Sequence, residues 1–98
     1  LDRQPSFKGK KGQEGLDAFS KWVQKRIQKP ADGATGTVLV RFVIGRNGGV
    51  QEVQIARGVS PALNDEAMRV VRKSPKWKPA KADGRTVRIT YTLPVVFE

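Results

Sequence analysis

The chain has 98 residues, with 19 Lys or Arg against 9 Asp or Glu, no Cys, no His and a net charge of +10. That length supports one domain with one core. The missing Cys and His exclude thiol nucleophiles, disulfides, the usual zinc sites and the commonest general base, while the charge predicts attraction to anions such as nucleic acid, an anionic membrane surface, cell-wall polymers or an acidic protein.

Residues 1–11 are polar and carry Pro5, Gly9, Lys10 and Lys11, which predicts an extended lead-in with Phe7 alone docking. Residues 12–28 have a helical period: Leu16, Phe19, Val23 and Ile27 recur at steps of three and four. Pro30 disfavours helix at Lys29 and should end it. After a loop with Asp32-Gly33, Val38, Val40, Phe42 and Ile44 alternate with Thr37, Leu39, Arg41 and Val43 as a strand. The run Gly45-Arg46-Asn47-Gly48-Gly49 is a turn, because Gly and Asn accept positive φ. Residues 50–57 form its returning strand, with Val53 and Ile55 on one face and Glu52 and Gln54 on the other. Asn64 is the expected N-cap of a second helix whose inner face is Leu63, Ala67, Val70, Val71 and Ser74. Pro75 and Pro79 hold the stretch around Trp77 extended, and Asp83-Gly84 marks a turn. Residues 86–93 alternate once more, with Val87, Ile89, Tyr91 and Leu93 inward and Arg88, Thr90 and Thr92 outward. Pro94 cannot donate to a ladder and should lie at an edge or past the paired region.

Two amphipathic helices need a surface for their apolar stripes, and one face of a sheet supplies it. The expected fold class is α+β, a two-layer α-β-β-α-β sandwich with a three-stranded antiparallel sheet and two helices on one face. The expected organisation is a lead-in over 1–11 and a single domain over 12–98. The outer sheet face reads as polar apart from Leu39 and Val43. No apolar stretch approaches the ~20 residues that span a bilayer, and no signal peptide is visible. A start at Leu1 without Met suggests a processed product or a piece of a longer chain.

Catalysis finds no candidates. Asp65 and Glu66 are helix neighbours that point apart, no spaced carboxylates form an acid/base couple, and the Gly-rich run joins two strands with no Lys-Ser/Thr after it. No metal site and no cofactor are expected. Nucleic acid is a weaker reading. Arg69, Arg72, Lys73, Lys76, Lys78, Lys81, Arg85 and Arg88 crowd around Trp77, but the outward sheet face lacks aromatics for stacking, and a Trp between prolines is more often a core plug. Strand capture is the third reading. A three-stranded sheet has two edges, and an extended peptide can add to either; the residues themselves do not choose between them.

The run Gly36-Thr37-Val38-Leu39-Val40-Arg41-Phe42-Val43-Ile44, then Asn47-Gly48-Gly49-Val50 and Val53-Gln54-Ile55, resembles the C-terminal domain of TonB proteins. So do residues 63–71, followed by Ser74-Pro75-Lys76-Trp77-Lys78-Pro79-Ala80, then Gly84-Arg85-Thr86-Val87 and Leu93-Pro94-Val95-Val96-Phe97. Upstream, Phe7-Lys8-Gly9, Leu16, Phe19 and Trp22-Val23 through Pro30 resemble the added N-terminal helix of TonB-like proteins common in Bacteroidetes. The resemblance implies a periplasmic domain of an energy transducer, anchored in the inner membrane by an N-terminal segment outside this chain. It implies that the domain binds the TonB box of outer-membrane transporters by strand addition, or β-augmentation. Force from a proton-driven inner-membrane motor of ExbB/ExbD type would then drive uptake of siderophores, cobalamin or sugars. Carried onto this chain, the partner-binding residues are Arg85, Thr86, Val87, Arg88, Ile89, Thr90, Tyr91 and Thr92, with Gln28 as a second contact. The family's Tyr-Pro is Lys29-Pro30 here. The same edge would also permit a homodimer. TonB-like or TolA-like domains of sensor and envelope proteins are the alternative within this resemblance, and a basic nucleic-acid module is the alternative outside it.

Overall fold

The computed structural model describes residues 1–98. Helix α1 spans Gly12–Gln24 and helix α2 spans Pro61–Arg72. Strands β3 (Gly36–Ile44), β4 (Val50–Arg57) and β7 (Ile89–Phe97) form an antiparallel sheet in the order β4-β3-β7. Two short ribbons flank it: β1 (Ser6–Phe7) with β2 (Lys10–Lys11), and β5 (Ala80–Ala82) with β6 (Arg85–Val87). The fold is the expected α+β sandwich.

The core forms where three periodicities meet. Val38, Val40, Phe42 and Ile44 of β3 and Leu93, Val95 and Phe97 of β7 point to one face. Phe19 and Val23 of α1 and Leu63, Ala67, Val70 and Val71 of α2 pack onto that same face in one cluster. Trp77 fills the gap left at one end, with its ring centroid 5.2 Å from Phe7, 5.5 Å from Phe19 and 6.0 Å from Tyr91. Its backbone N–H donates to the Gly48 carbonyl at 2.8 Å. Gly48 sits at φ +85°, and a Cβ there would run into the Trp77 carbonyl. The turn glycine is therefore needed for conformation and for this close approach.

Several local expectations change. The lead-in is docked well beyond Phe7. Pro5 and Ser6 are also buried, Lys8 and Gly9 close a tight hairpin at φ +50° and +85°, and Arg3 donates to the Pro79 carbonyl at 2.8 and 3.1 Å. The backbone of Asp2, Arg3 and Ser6 pairs with Lys78 and Lys81. The cause is the extended Trp77-to-Ala80 stretch, whose unpaired peptide groups need partners. Helix α1 stops at Gln24, short of residue 28. Its last turn tightens as the Arg26 and Ile27 N–H groups both donate to the Val23 carbonyl, while the Arg26 guanidinium folds back 4.1 Å over the Trp22 ring. Helix α2 starts earlier than Asn64. Ser60 is its N-cap, accepting from the Leu63 N–H at 3.3 Å, and Pro61 supplies the preset φ of the first turn. Asn64 instead accepts the Val59 N–H at 2.9 Å and fastens the turn before the helix.

The expected single strand over 86–93 is two strands. Residues 85–87 turn back on Ala80–Ala82 through Asp83-Gly84, Arg88 breaks the run, and β7 continues past Pro94 to Phe97. Strand β4 carries a bulge. Glu52 adopts φ +50° and the register against β3 slips between Leu39 and Val40 and between Arg41 and Val43. The bulge brings Val50 to the core side with Val53 and Ile55. On the outer face, Val43 is buried between its cross-strand neighbours Gln51 and Thr90.

Candidate functional site: the open edge of the last strand

The two sheet edges differ in regularity. Strand β7 pairs with β3 without a slip from Gly36–Phe97 through Ile44–Ile89. Strand β4 is kinked by its bulge, a common device for making an edge unfit to template another strand. The β7 edge is therefore the better template.

Which backbone groups that edge offers follows from parity. In an antiparallel pair, alternate residues turn their N–H and C=O toward the partner and the rest turn them away. Val96 is one that faces away, since its N–H and C=O both bond the Gln24 side chain, at 2.7 and 2.9 Å. With no slip in the register, Pro94, Thr92 and Thr90 share that direction. Pro94 is tolerated inside the strand for this reason: the ladder asks it for no donor. Thr90 and Thr92 are exposed and present one N–H and one C=O each to the open side. Pro94 presents only a carbonyl.

The residues expected to bind the partner are spread over this region in unequal roles. Thr90 and Thr92 lie on the edge itself. Ile89 and Tyr91 pair with Ile44 and Phe42 and are half-buried on the inner sheet face, with Tyr91 packed against the core. The Tyr91 ring lies 6.2 Å from Phe42, and partial burial raises its hydroxyl pKa above the usual value. Thr86, Arg85 and Val87 belong to the ribbon, opposite Lys81, Ala82 and Ala80. Arg85, Thr86 and Val87 line, with Arg46, Ala82 and Asp83, an open hollow of about 840 Å³ at the start of the edge. Arg88 forms an ion pair with Glu52, joining the start of β7 to the β4 bulge. Gln28 lies in the segment after α1, where its N–H donates to Glu66 of α2 at 2.7 Å; its neighbours Ile27 and Lys29 line a hollow with Val96 at the far end of the strand. The edge group that sequence reasoning missed is Gln24, whose only local signal is a polar residue at the end of an amphipathic helix.

Glu66 holds the segment after α1. Arg69 donates two hydrogen bonds to its carboxylate, at 2.7 and 2.8 Å, and these lower its pKa below the usual value. Partial burial opposes the shift, while the Gln28 N–H and the charges of Arg69 and Lys73 add to it. A depressed carboxyl pKa contributes stability above the unfolded value of about 4.3, lost as pH falls through the folded value. Glu66→Gln should cost about 1 kcal/mol at pH 7, with the gap from the wild type closing as pH falls below about 4. Thermal unfolding against pH measures both, and a gap independent of pH would contradict the assignment.

The basic residues around Trp77 do not assemble a stacking platform. Trp77 is 3% exposed and its indole N–H donates to Ser74 Oγ at 3.2 Å.

A family model for the C-terminal region of Gram-negative bacterial TonB protein matches residues 28–98. The matched span takes in the three-stranded sheet, α2 and the β5–β6 ribbon, and leaves out the N-terminal hairpin and α1. No curated protein and no solved structure matches the chain.

Proposed function

The chain belongs to the TonB C-terminal family, and from that premise we propose that its β7 edge receives the box of an outer-membrane transporter as an added strand. The observation that carries this reading is the unbulged edge at Thr90 and Thr92, with free backbone donors and acceptors, beside a β4 edge that is kinked. Main-chain hydrogen bonds supply affinity in such pairing, and side chains on alternate positions supply selectivity. A strand pulled along its length loads its hydrogen bonds together, which suits a domain that transmits force. In this reading the domain works in the periplasm and is tethered to an inner-membrane proton-driven motor of ExbB/ExbD type, and the cargo is a siderophore, cobalamin or sugar. It acts as a binding module, with no chemistry of its own. Arg85 and the neighbouring Arg46 favour a peptide with acidic residues at one end and raise its association rate. Arg88 is paired with Glu52 and is less available to a partner.

Titrating a synthetic box peptide into the labelled domain tests this. The largest amide shifts should fall at Thr90 and Thr92, with small ones along Val50–Arg57. Shifts spread evenly, or confined to β4, would refute the edge.

A further inference from the structure

The β7 edge is not open along its whole length. At Val96 its N–H and C=O are both taken, at 2.7 and 2.9 Å, by the side-chain amide of Gln24, the last residue of α1. A primary amide offers one acceptor and donors in a plane, as a peptide group does. Gln24 thus fills the place that the backbone of an added strand would take. We propose that Gln24 is a displaceable stand-in for a partner strand, closing the far end of the edge and limiting how many residues of an incoming strand can pair. This rests on the reading of β7 as the receiving edge.

Three observations support a clamp that opens rather than a permanent tie. Both bonds are solvent-exposed, so their net strength is of the same order as the rotamer freedom that Gln gives up in making them. A hollow of about 240 Å³, lined by Gln24, Ile27, Lys29, Val96, Phe97 and Glu98, lies alongside and gives the side chain somewhere to go. Pro94, next along the edge, offers no donor, so the stretch between Thr92 and Val96 is the weakest part of the edge for a strand to cross. With Gln24 in place, pairing is confined to Thr90, Thr92 and the Pro94 carbonyl, which suits a short strand. Gln24 lies outside the span shared with the family, 28–98, so the limit is set by the helix added in front of it.

The test uses the whole 98-residue chain and three probes: the box peptide trimmed to five residues, and the same peptide lengthened by three alternating Thr and Val residues at one end or the other. Wild type, which must first release Gln24, should gain less from either lengthened peptide than the variant without the clamp does. Gln24→Ala should bind one lengthened peptide about tenfold more tightly than wild type does, with the Val96 amide shifting only in that complex. In the free chain the Val96 amide should exchange slowly in wild type and as fast as Thr92 in the variant. Equal affinities in Gln24→Ala, with Thr90 and Thr92 still shifting, would overturn the clamp and leave the receiving edge intact. A wild type that gains from lengthening as much as Gln24→Ala does, or a Val96 amide as unprotected in it as in the variant, would also overturn the clamp. Failure of every peptide to bind either protein would remove the receiving edge and the clamp with it.

Discussion

Replacing Trp77 with alanine should lower the unfolding free energy by about 3–5 kcal/mol, the range for truncating a large buried aromatic. Trp77 is 3% exposed and contacts rings from four parts of the chain: Phe7 of the N-terminal hairpin, Phe19 of α1, Phe42 of β3 and Tyr91 of β7. Its backbone holds the β3–β4 turn through Gly48. Truncation removes the one side chain that all these elements share, and the space left has too many walls to collapse. A domain of this size has a total stability of about 5–15 kcal/mol, so the variant should be marginal at 37 °C. Trp77→Phe keeps most of the packing but loses the bond to Ser74 Oγ, and should cost about half as much. Urea unfolding measures both. A Trp77→Ala domain with an unchanged midpoint and lost peptide binding would instead make Trp77 a recognition residue.

Thr90→Pro should weaken strand addition strongly while leaving the fold nearly intact, and Ile89→Pro should do the reverse in order of severity. Thr90 turns its N–H to the open side, so proline there removes a donor that only a partner uses and places a ring in the partner's path. Binding should weaken about tenfold to a hundredfold. Pro94, which faces the same way in the same strand, is the native precedent for tolerance. Ile89 turns its N–H to Ile44, so proline there breaks a ladder bond and removes a half-buried side chain, costing at least about 2 kcal/mol. Calorimetric titration with the box peptide and thermal unfolding separate the two effects. Unimpaired binding by a folded Thr90→Pro domain would rule out pairing at this edge.

These residues mark how far local pattern reaches. The α1 stripe of Phe19 and Val23, the alternation of Val38, Val40, Phe42 and Ile44, and the turns at Asn47-Gly48 and Asp83-Gly84 were legible because each is set by neighbours a few positions away. The role of Trp77 as a plug was legible for a similar reason: flanking prolines cannot carry it through a helix or a central strand. The ends of elements were less legible. Ser60-Pro61 outcompeted Asn64 as the start of α2, since a preset φ and a free hydroxyl act together there, and the bulge at Glu52 has no marker in composition.

The edge divides along the same line. Sequence alone determined that a strand of alternating residues ends this chain, that its inner face is Ile89, Tyr91 and Leu93, and that Thr90 and Thr92 face outward, because side chains alternate along any strand. Only the tertiary structure decided which backbone groups remain free. That depends on pairing between residues far apart: Val43 with Thr90, Arg88 with Glu52, and Gln24 with Val96, 72 positions away. A hydrogen bond closed across such a distance leaves no period in the sequence, and a register shift of one residue would reverse which groups face the partner. The open stretch at Thr90 and Thr92, bounded by Pro94 and Gln24, is therefore a property of the fold.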